Sequence, residues 1–280
     1  MSGSQIGFMQ GRLSPIVDGK IQAFPWNNWR QEFSAARDIG LRVMEWTLDQ
    51  DNLYDNPIMT SMGQKEIIKL CKDFEITIPS LTGDCFMQSP FWKLSGSEKI
   101  DRQIDLMNIV DACSRVGISK IVIPLVDDGR IDNNDQYLAL CNFLNEKEPY
   151  ISNMNIHIVF ESDFSPNNLK HFIKEFNSKT FGINYDIGNS ASLGFNVDEE
   201  FNAYGDRILN VHIKDRLLNG TTVPLGDGSA EFEKVFYQLS KIGYKGNYIL
   251  QTARSINEKH ATVLSSYKTL TEKWISKYGS

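Results

Sequence analysis

The chain of 280 residues has few cysteines and histidines, no long apolar run and no excess of positive charge. Its four cysteines, Cys71, Cys85, Cys113 and Cys141, show no paired spacing, which favours reduced thiols in a cytoplasmic protein. No apolar segment approaches the ~20 residues of a membrane helix, and no signal peptide is recognisable, so a membrane location is not predicted. The formal net charge of −6 disfavours a nucleic-acid partner.

Two common phosphate-binding motifs are also missing. No Gly-x-Gly-x-x-Gly pattern follows the first predicted strand, and no glycine-rich loop ends in Lys-Ser or Lys-Thr. These absences disfavour a dinucleotide-binding or nucleoside-triphosphate-binding fold.

Short apolar runs alternate with longer amphipathic segments along the whole chain. The apolar runs predict eight strands, each followed by a helix, without a break in composition or a linker. The predicted strands are Ile6–Met9, Leu41–Trp46, Ile76–Leu81, Ser119–Leu125, Asn155–Phe160, Phe181–Tyr185, Arg207–Ile213 and Asn247–Leu250. Among the predicted helices, one is capped by Ser97, one opens at Ser165-Pro166, and the last three cover about 197–205, 230–242 and 257–277.

Eight such units predict a single (β/α)8 TIM barrel of the α/β class. The runs Ile121–Leu125 and Ile156–Phe160 are almost wholly apolar, as parallel strands that are buried on both faces require. We therefore predict one domain over residues 1–280, with short tails at 1–4 and 279–280.

Four of the later strands end in a polar side chain that can bind a metal: Glu161, Asp186, His212 and Gln251. The gaps between them are 25, 26 and 39 residues, each long enough for a helix and its loops. Because parallel strands in a barrel bring their C-terminal ends to one side, the four side chains are predicted to meet around a divalent cation.

Each of the four residues also has an ordinary structural explanation. Glu161 could form a salt bridge, and Asp186 could serve as a turn or helix-cap residue. His212 could be a hydrogen-bonded core histidine, and Gln251 a simple hydrogen-bonding residue. The common spacing favours the metal site over these separate explanations, most weakly for Gln251.

Further polar residues near strand ends are candidates for substrate binding. Arg12 or Arg254 could hold a phosphate or carboxylate, with Glu45 orienting the arginine. Lys214, Asp215 and Arg216 directly follow His212. Rim salt bridges are the alternative for all of them.

The motifs together resemble the xylose isomerase-like TIM barrels of sugar and sugar-phosphate isomerases and epimerases. The resemblance covers nearly the whole chain, and five segments carry it: Gly7–Pro15, Tyr185–Asn189, Val211–Asp215, Pro224–Gly228 and Gly246–Gln251.

Ketose 3-epimerases of that family bind one divalent ion through Glu, Asp, His and Glu. The resemblance places these ligands at Glu161, Asp186, His212 and Gln251, and it implies manganese, cobalt, magnesium or zinc as the cofactor. The chain departs from the family at Gln251, where an amide replaces an acid/base glutamate. It departs again at Asn189, which often is a histidine and is a substrate-binding candidate.

The resemblance implies an isomerase or epimerase that acts on a ketose, a ketose phosphate or a related hydroxy-carbonyl compound. Glu161 would move a proton next to the carbonyl through a metal-stabilised enediolate. Two alternatives stay open: a metal-dependent dehydratase or lyase on a sugar acid or cyclitol, and a sugar-binding barrel without activity. An apurinic-site endonuclease is disfavoured because its three-zinc cluster needs several histidines, and this chain has four in total. The expected partner is a small carbohydrate, and the resemblance also allows a homo-oligomer.

Overall fold

A computed structural model describes residues 6–255 and 257–279. Within these ranges, eight parallel strands close into a barrel in the order β1-β10-β7-β6-β5-β4-β3-β2, and a two-stranded hairpin, β8-β9, lies outside it. The strands are β1 Ile6–Met9, β2 Val43–Thr47, β3 Thr77–Thr82, β4 Lys120–Leu125, β5 His157–Ser162, β6 Phe181–Asp186, β7 Ile208–Ile213, β8 Asp215–Arg216, β9 Thr222–Val223 and β10 Tyr248–Leu250. The predicted (β/α)8 barrel is confirmed.

Helices follow the barrel strands and cover their outer faces, so the apolar side chains of each strand are buried between strand and helix. The helices are α1 Gln31–Asp38, α2 Ser61–Phe74, α3 Asp84–Gln88, α4 Gly96–Val116, α5 Asn134–Asn153, α6 Pro166–Lys174, α7 Ile187–Leu193, α8 Val197–Tyr204, α9 Phe232–Lys241 and α10 His260–Tyr278. Among the described residues, no helix has the length and apolar character that a membrane span requires.

Several predicted element boundaries are confirmed closely, and others shift. The predicted cap at Ser165 is confirmed, because its hydroxyl accepts a hydrogen bond from the Asn168 amide. The cap at Ser97 is wrong: α4 starts at Gly96, and the capping position is Ser95, whose side chain makes no capping bond. The fifth strand runs to Ser162, two residues beyond the predicted end at Phe160, so Glu161 lies inside the strand.

Helix α7 has no counterpart in the sequence prediction. It begins directly after β6, and the carboxylate of Asp186 caps it by accepting a hydrogen bond from the Asn189 amide. Because the helix has only seven residues and is rich in Gly, Ser and Asn, its sequence carries no apolar period. The predicted tails at residues 1–4 and 280 lie outside the described residues, whereas Gly279 ends α10 with a positive φ of 70°.

Candidate metal centre and substrate cavity

Three side chains from neighbouring strands converge at the C-terminal mouth of the barrel. Glu161 comes from β5, Asp186 from the end of β6 and His212 from β7, and Asp186 pairs with His212 in register. One ligand atom from each of the three lies within 4.8 Å of the others, and all three residues are buried. His212 Nδ1 lies 3.1 Å from Glu161 Oε2 and 3.9 Å from Asp186 Oδ2. The three side chains thus converge at the strand ends, as their spacing along the chain predicts.

The opposite nitrogen of His212 faces the barrel interior. Its Nε2 lies 2.7 Å from Glu45 Oε1 on β2. The other oxygen of Glu45 accepts hydrogen bonds from Ser80 Oγ at 2.6 Å and Asn210 Nδ2 at 2.8 Å. Glu45 thus fixes the ring of His212, which is the usual role of an outer carboxylate behind a metal-binding histidine. The expectation that Glu45 orients an arginine is wrong, since its side chain is fully buried beneath the site.

Two asparagines hold the carboxylate of Glu161. Asn189 Nδ2 donates to Glu161 Oε1 at 2.6 Å, and Asn184 Nδ2 donates to Glu161 Oε2 at 2.8 Å. Asn184 was not singled out from the sequence. It stands two residues before Asp186 on β6, and side chains two apart on a strand face the same way. The same rule places Asn210 beside His212, so strand periodicity was the signal that could have found both residues.

The ammonium group of Lys214 lies on the other side of the cluster. Its Nζ is 2.9 Å from Asp186 Oδ2, 3.2 Å from Asn189 Oδ1 and 3.1 Å from Gln251 Oε1. The side chain passes directly over Gly188, where an added Cβ would come within 2.7 Å of Lys214 Cγ. The glycine at the start of α7 therefore leaves the space through which the lysine reaches the site.

Gln251 lies at the mouth of the barrel, directly after β10, but it is engaged with other groups. Its Oε1 accepts from Lys214, and its Nε2 donates to Gln22 Oε1 at 2.9 Å. Among the described residues, the acidic and histidine side chains of the compact group are Glu161, Asp186 and His212. Its coordination of a metal stays a prediction.

Burial and mutual charge set the protonation of the cluster. Burial by itself lowers the pKa of His212, but the carboxylates of Glu45 and Glu161 outweigh it and raise that pKa to about 10. Burial alone would raise the pKa of Glu161, yet the hydrogen bond and charge of His212 lower it below its usual value. Burial raises the pKa of Asp186 although Lys214 opposes the shift. The cluster thus holds buried carboxylates whose negative charge is opposed by His212 and Lys214.

The donor set fits a divalent metal ion. Two carboxylates and an imidazole are ligands that zinc, manganese and cobalt accept, and the outer groups Glu45, Asn184 and Asn189 hold them in place. A metal would also balance the two buried carboxylates, which otherwise rely on His212 and Lys214. Glu161, Asp186 and His212 are the residues that would hold it.

A cavity of about 550 Å³ opens above this cluster. It suits a small polar molecule, since polar side chains make up much of its wall. The ligand candidates Glu161 and Gln251 line it. Four of the predicted substrate residues line it as well: Arg12, Asn189, Lys214 and Arg216. Residues that sequence reasoning missed line it as well, among them Gln22, Asp84, Asp127, Arg130 and Asp163.

Besides Glu45, two of the predicted substrate residues have other partners and do not line this cavity. Asp215 is fully buried, and its carboxylate accepts hydrogen bonds from the amides of Gly226, Gly228 and Ala230. It therefore holds the glycine-rich loop that follows the hairpin, and a substrate contact through it is not supported. Arg254 donates to the carbonyl of Ser14 and lies behind Arg12, away from the cavity wall.

Comparison with known proteins places this geometry in a family. The family model described as xylose isomerase-like TIM barrel matches residues 33–271. The chain belongs to this family. The predicted resemblance is thereby confirmed.

Several known proteins are similar to this chain at low sequence identity and over at least 80% of its length. The L-ribulose-5-phosphate 3-epimerase UlaE of Salmonella heidelberg is 22% identical over 233 residues, which cover 80% of this chain and 81% of that protein. A xylose isomerase domain protein from Planctomyces limnophilus superposes with a TM-score of 0.73 at 17% identity, covering 99% of this chain and 98% of that one. The structure of an IOLI protein with a bound zinc atom superposes with a TM-score of 0.72 at 16% identity, over 98% of both chains.

Proposed function

We propose that this protein is a divalent-metal-dependent isomerase or epimerase that acts on a ketose, a ketose phosphate or a related hydroxy-carbonyl compound. The observation that carries the proposal is the convergence of Glu161, Asp186 and His212 beneath a polar cavity. The similarity to a named sugar-phosphate 3-epimerase supports a carbohydrate substrate, and the zinc in a structural neighbour supports a metal.

The metal would act as a Lewis acid that polarises the substrate carbonyl and makes the adjacent carbon–hydrogen bond more acidic. Glu161 is the base that takes this proton, since its lowered pKa keeps it ionised and it lines the cavity. Asn184 and Asn189 keep both of its oxygens in fixed positions. Lys214 and Arg216 present positive charge to the same cavity, where negative charge develops on the substrate during proton removal.

Proton exchange with solvent tests the proposal directly. We expect the manganese-loaded protein to exchange the proton beside the carbonyl of at least one ketose or ketose phosphate in deuterated water, as measured by proton NMR. A dehydratase or lyase would instead release water or a fragment, which analysis of the products would detect. If sugars bind to the protein but none of them exchanges a proton or forms a product, the protein is a sugar-binding barrel and the proposed enzymatic activity is contradicted.

The Gln251→Glu variant should bind the metal more tightly, because a carboxylate replaces a neutral amide next to Lys214, which also contacts Asp186. The added charge is expected to lower the dissociation constant for manganese by about tenfold or more. Calorimetric titration of the metal-free variant and wild type measures this change.

The matched control for this titration is Gln238→Glu on α9, which adds the same charge away from the cavity and should leave the affinity unchanged. Equal or weaker manganese binding by Gln251→Glu would show that residue 251 is not a ligand.

We further propose that the protein works in the cytoplasm on a small carbohydrate, without a nucleic acid or a membrane as partner. The net charge of −6 supports the absence of a nucleic-acid partner.

A further inference from the structure

The structure raises one question about the proposed reaction. Epimerisation removes a proton from one face of a carbon and returns a proton to the other face, so a second proton-carrying group is required. Gln251 has an amide in the place where the family has its second glutamate, and an amide does not exchange protons in this way.

Three other carboxyl groups near the site are already committed to structural partners. Glu45 is fully buried beneath His212, and Asp215 holds three backbone amides of the glycine-rich loop. Asp163 lines the cavity but lies 3.8 Å from the guanidinium of Arg130. Asp127 lines the cavity as well, but it is exposed to solvent instead of buried in the wall. None of the four combines access to the cavity with a buried position that is free of other partners.

Asp84 combines both. It begins α3, directly after β3, and lines the same cavity as Glu161, while its residue surface is only 6% exposed. Among residues 6–255 and 257–279, the one side-chain hydrogen bond to its carboxylate comes from Gln22 Nε2, at 2.7 Å from Oδ2. A buried carboxyl group with so little support favours its neutral form.

Gln22 connects Asp84 to the place of the missing glutamate. Its Nε2 donates to Asp84, and its Oε1 accepts from Gln251 Nε2 at 2.9 Å. Asp84, Gln22 and Gln251 thus form one hydrogen-bonded chain along the cavity wall. The direct partners of Glu161 are Asn184, Asn189 and His212, none of which bonds to Asp84, so the two carboxyl groups are held by different contacts. Lys214 joins the two sets, since it contacts both Asn189 and Gln251.

We propose that Asp84 is the second catalytic acid/base group of this site and supplies the proton that Gln251 cannot. Glu161 takes the proton from the carbon beside the carbonyl, and the electron pair of that bond enters the enediolate. Protonated Asp84 then donates its proton to the other face of the same carbon, and the electron pair forms the new carbon–hydrogen bond. Glu161 ends protonated and Asp84 ionised, and proton exchange with water restores both.

The charges around Asp84 agree with this role. Burial and the neighbouring carboxylates of Asp49 and Glu161 raise the pKa of Asp84. The hydrogen bond from Gln22 and the charge of Arg12 lower it, and the resulting pKa is about 7. Near neutral pH, both the proton-donating and the proton-accepting forms are therefore available.

The inference rests on the proposed epimerase function, and one experiment separates the two. Wild type and Asp84→Asn are loaded with manganese and given, in deuterated water, the ketose that exchanges best. Deuterium incorporation into the starting sugar needs Glu161 alone, whereas formation of the epimer needs both groups. Asp84→Asn is expected to keep incorporation within about threefold and to lose epimer formation by at least 100-fold.

Asp105→Asn is the matched control, because it removes a carboxylate that is equally buried, at 5% exposed, but does not line the cavity, and both activities should persist. Added formate should restore part of the epimer formation in Asp84→Ala, since a small carboxylic acid can occupy the vacated space. In wild type, the direction in which Asp84 donates the proton needs its protonated form and should slow as the pH rises above about 7. The reverse reaction needs ionised Asp84 and should slow as the pH falls below about 7.

Equal loss of incorporation and epimer formation in Asp84→Asn would overturn the inference and assign Asp84 a binding or structural role. Undiminished epimer formation in that variant would overturn it as well. Absence of incorporation in wild type over the whole panel would instead contradict the proposed function.

Discussion

The Glu161→Gln variant should lose about 10³-fold of its solvent-exchange activity while the barrel stays folded. The amide has nearly the same shape as the carboxylate but cannot accept the substrate proton, and a positioned general base typically contributes 10²- to 10⁴-fold. The loss is expected in kcat, measured as deuterium incorporation by NMR with manganese held at saturation.

The stability cost of this change should be modest. Asn184 and Asn189 each donate a hydrogen bond to one oxygen of Glu161. In the glutamine variant an NH2 group replaces one of these oxygens and faces a donor, so one hydrogen bond is lost. This loss lowers the free energy of unfolding by about 1 to 3 kcal/mol. A matched control is Glu200→Gln, where a buried carboxylate accepts from the hydroxyls of Tyr185, Ser190 and Tyr204 away from the main cavity. That variant should lose similar stability and keep its activity. Unchanged exchange in Glu161→Gln would remove Glu161 from the chemistry.

The His212→Ala variant should lower the free energy of unfolding of the metal-free protein by about 3 to 5 kcal/mol. Removal of one partner from a buried ion pair leaves uncompensated charge, and here the two carboxylates of Glu45 and Glu161 both lose their partner. Urea denaturation in the presence of a chelator measures the change, and metal affinity should fall in the same variant.

The difference between wild type and His212→Ala should depend on pH. The folded-state pKa of His212 is raised from 6.5 to about 10, so the stabilisation is complete below about pH 6.5 and is lost as the pH rises toward 10. His171→Ala on the exposed side of α6 is the control and should change stability little at any pH. A loss below 1 kcal/mol for His212→Ala near pH 6 would contradict the ion-pair account.

The sequence alone was sufficient to predict the barrel and the convergence of three polar side chains at its mouth. Eight apolar strands that alternate with amphipathic helices in a chain of this size are typical of the (β/α)8 barrel. Because parallel strands in a barrel share one C-terminal end, in-step polar residues such as Glu161, Asp186 and His212 had to meet there. The short, polar helix α7 was missed because it carries no apolar period.

The hydrogen-bond partners of those three side chains were decided by tertiary structure. Glu45 was predicted at the substrate and lies behind His212, since closure of the barrel brings the inward face of β2 against β7 across the interior. Lys214 reaches Asp186 and Gln251 only because α7 presents a glycine beneath it. The contact between Gln22 and Asp84 joins a loop to the start of α3, 62 residues further along the chain. Strand period and spacing follow from local geometry and are written in the sequence, whereas contacts between loops depend on how the closed barrel orients them, which no local pattern encodes.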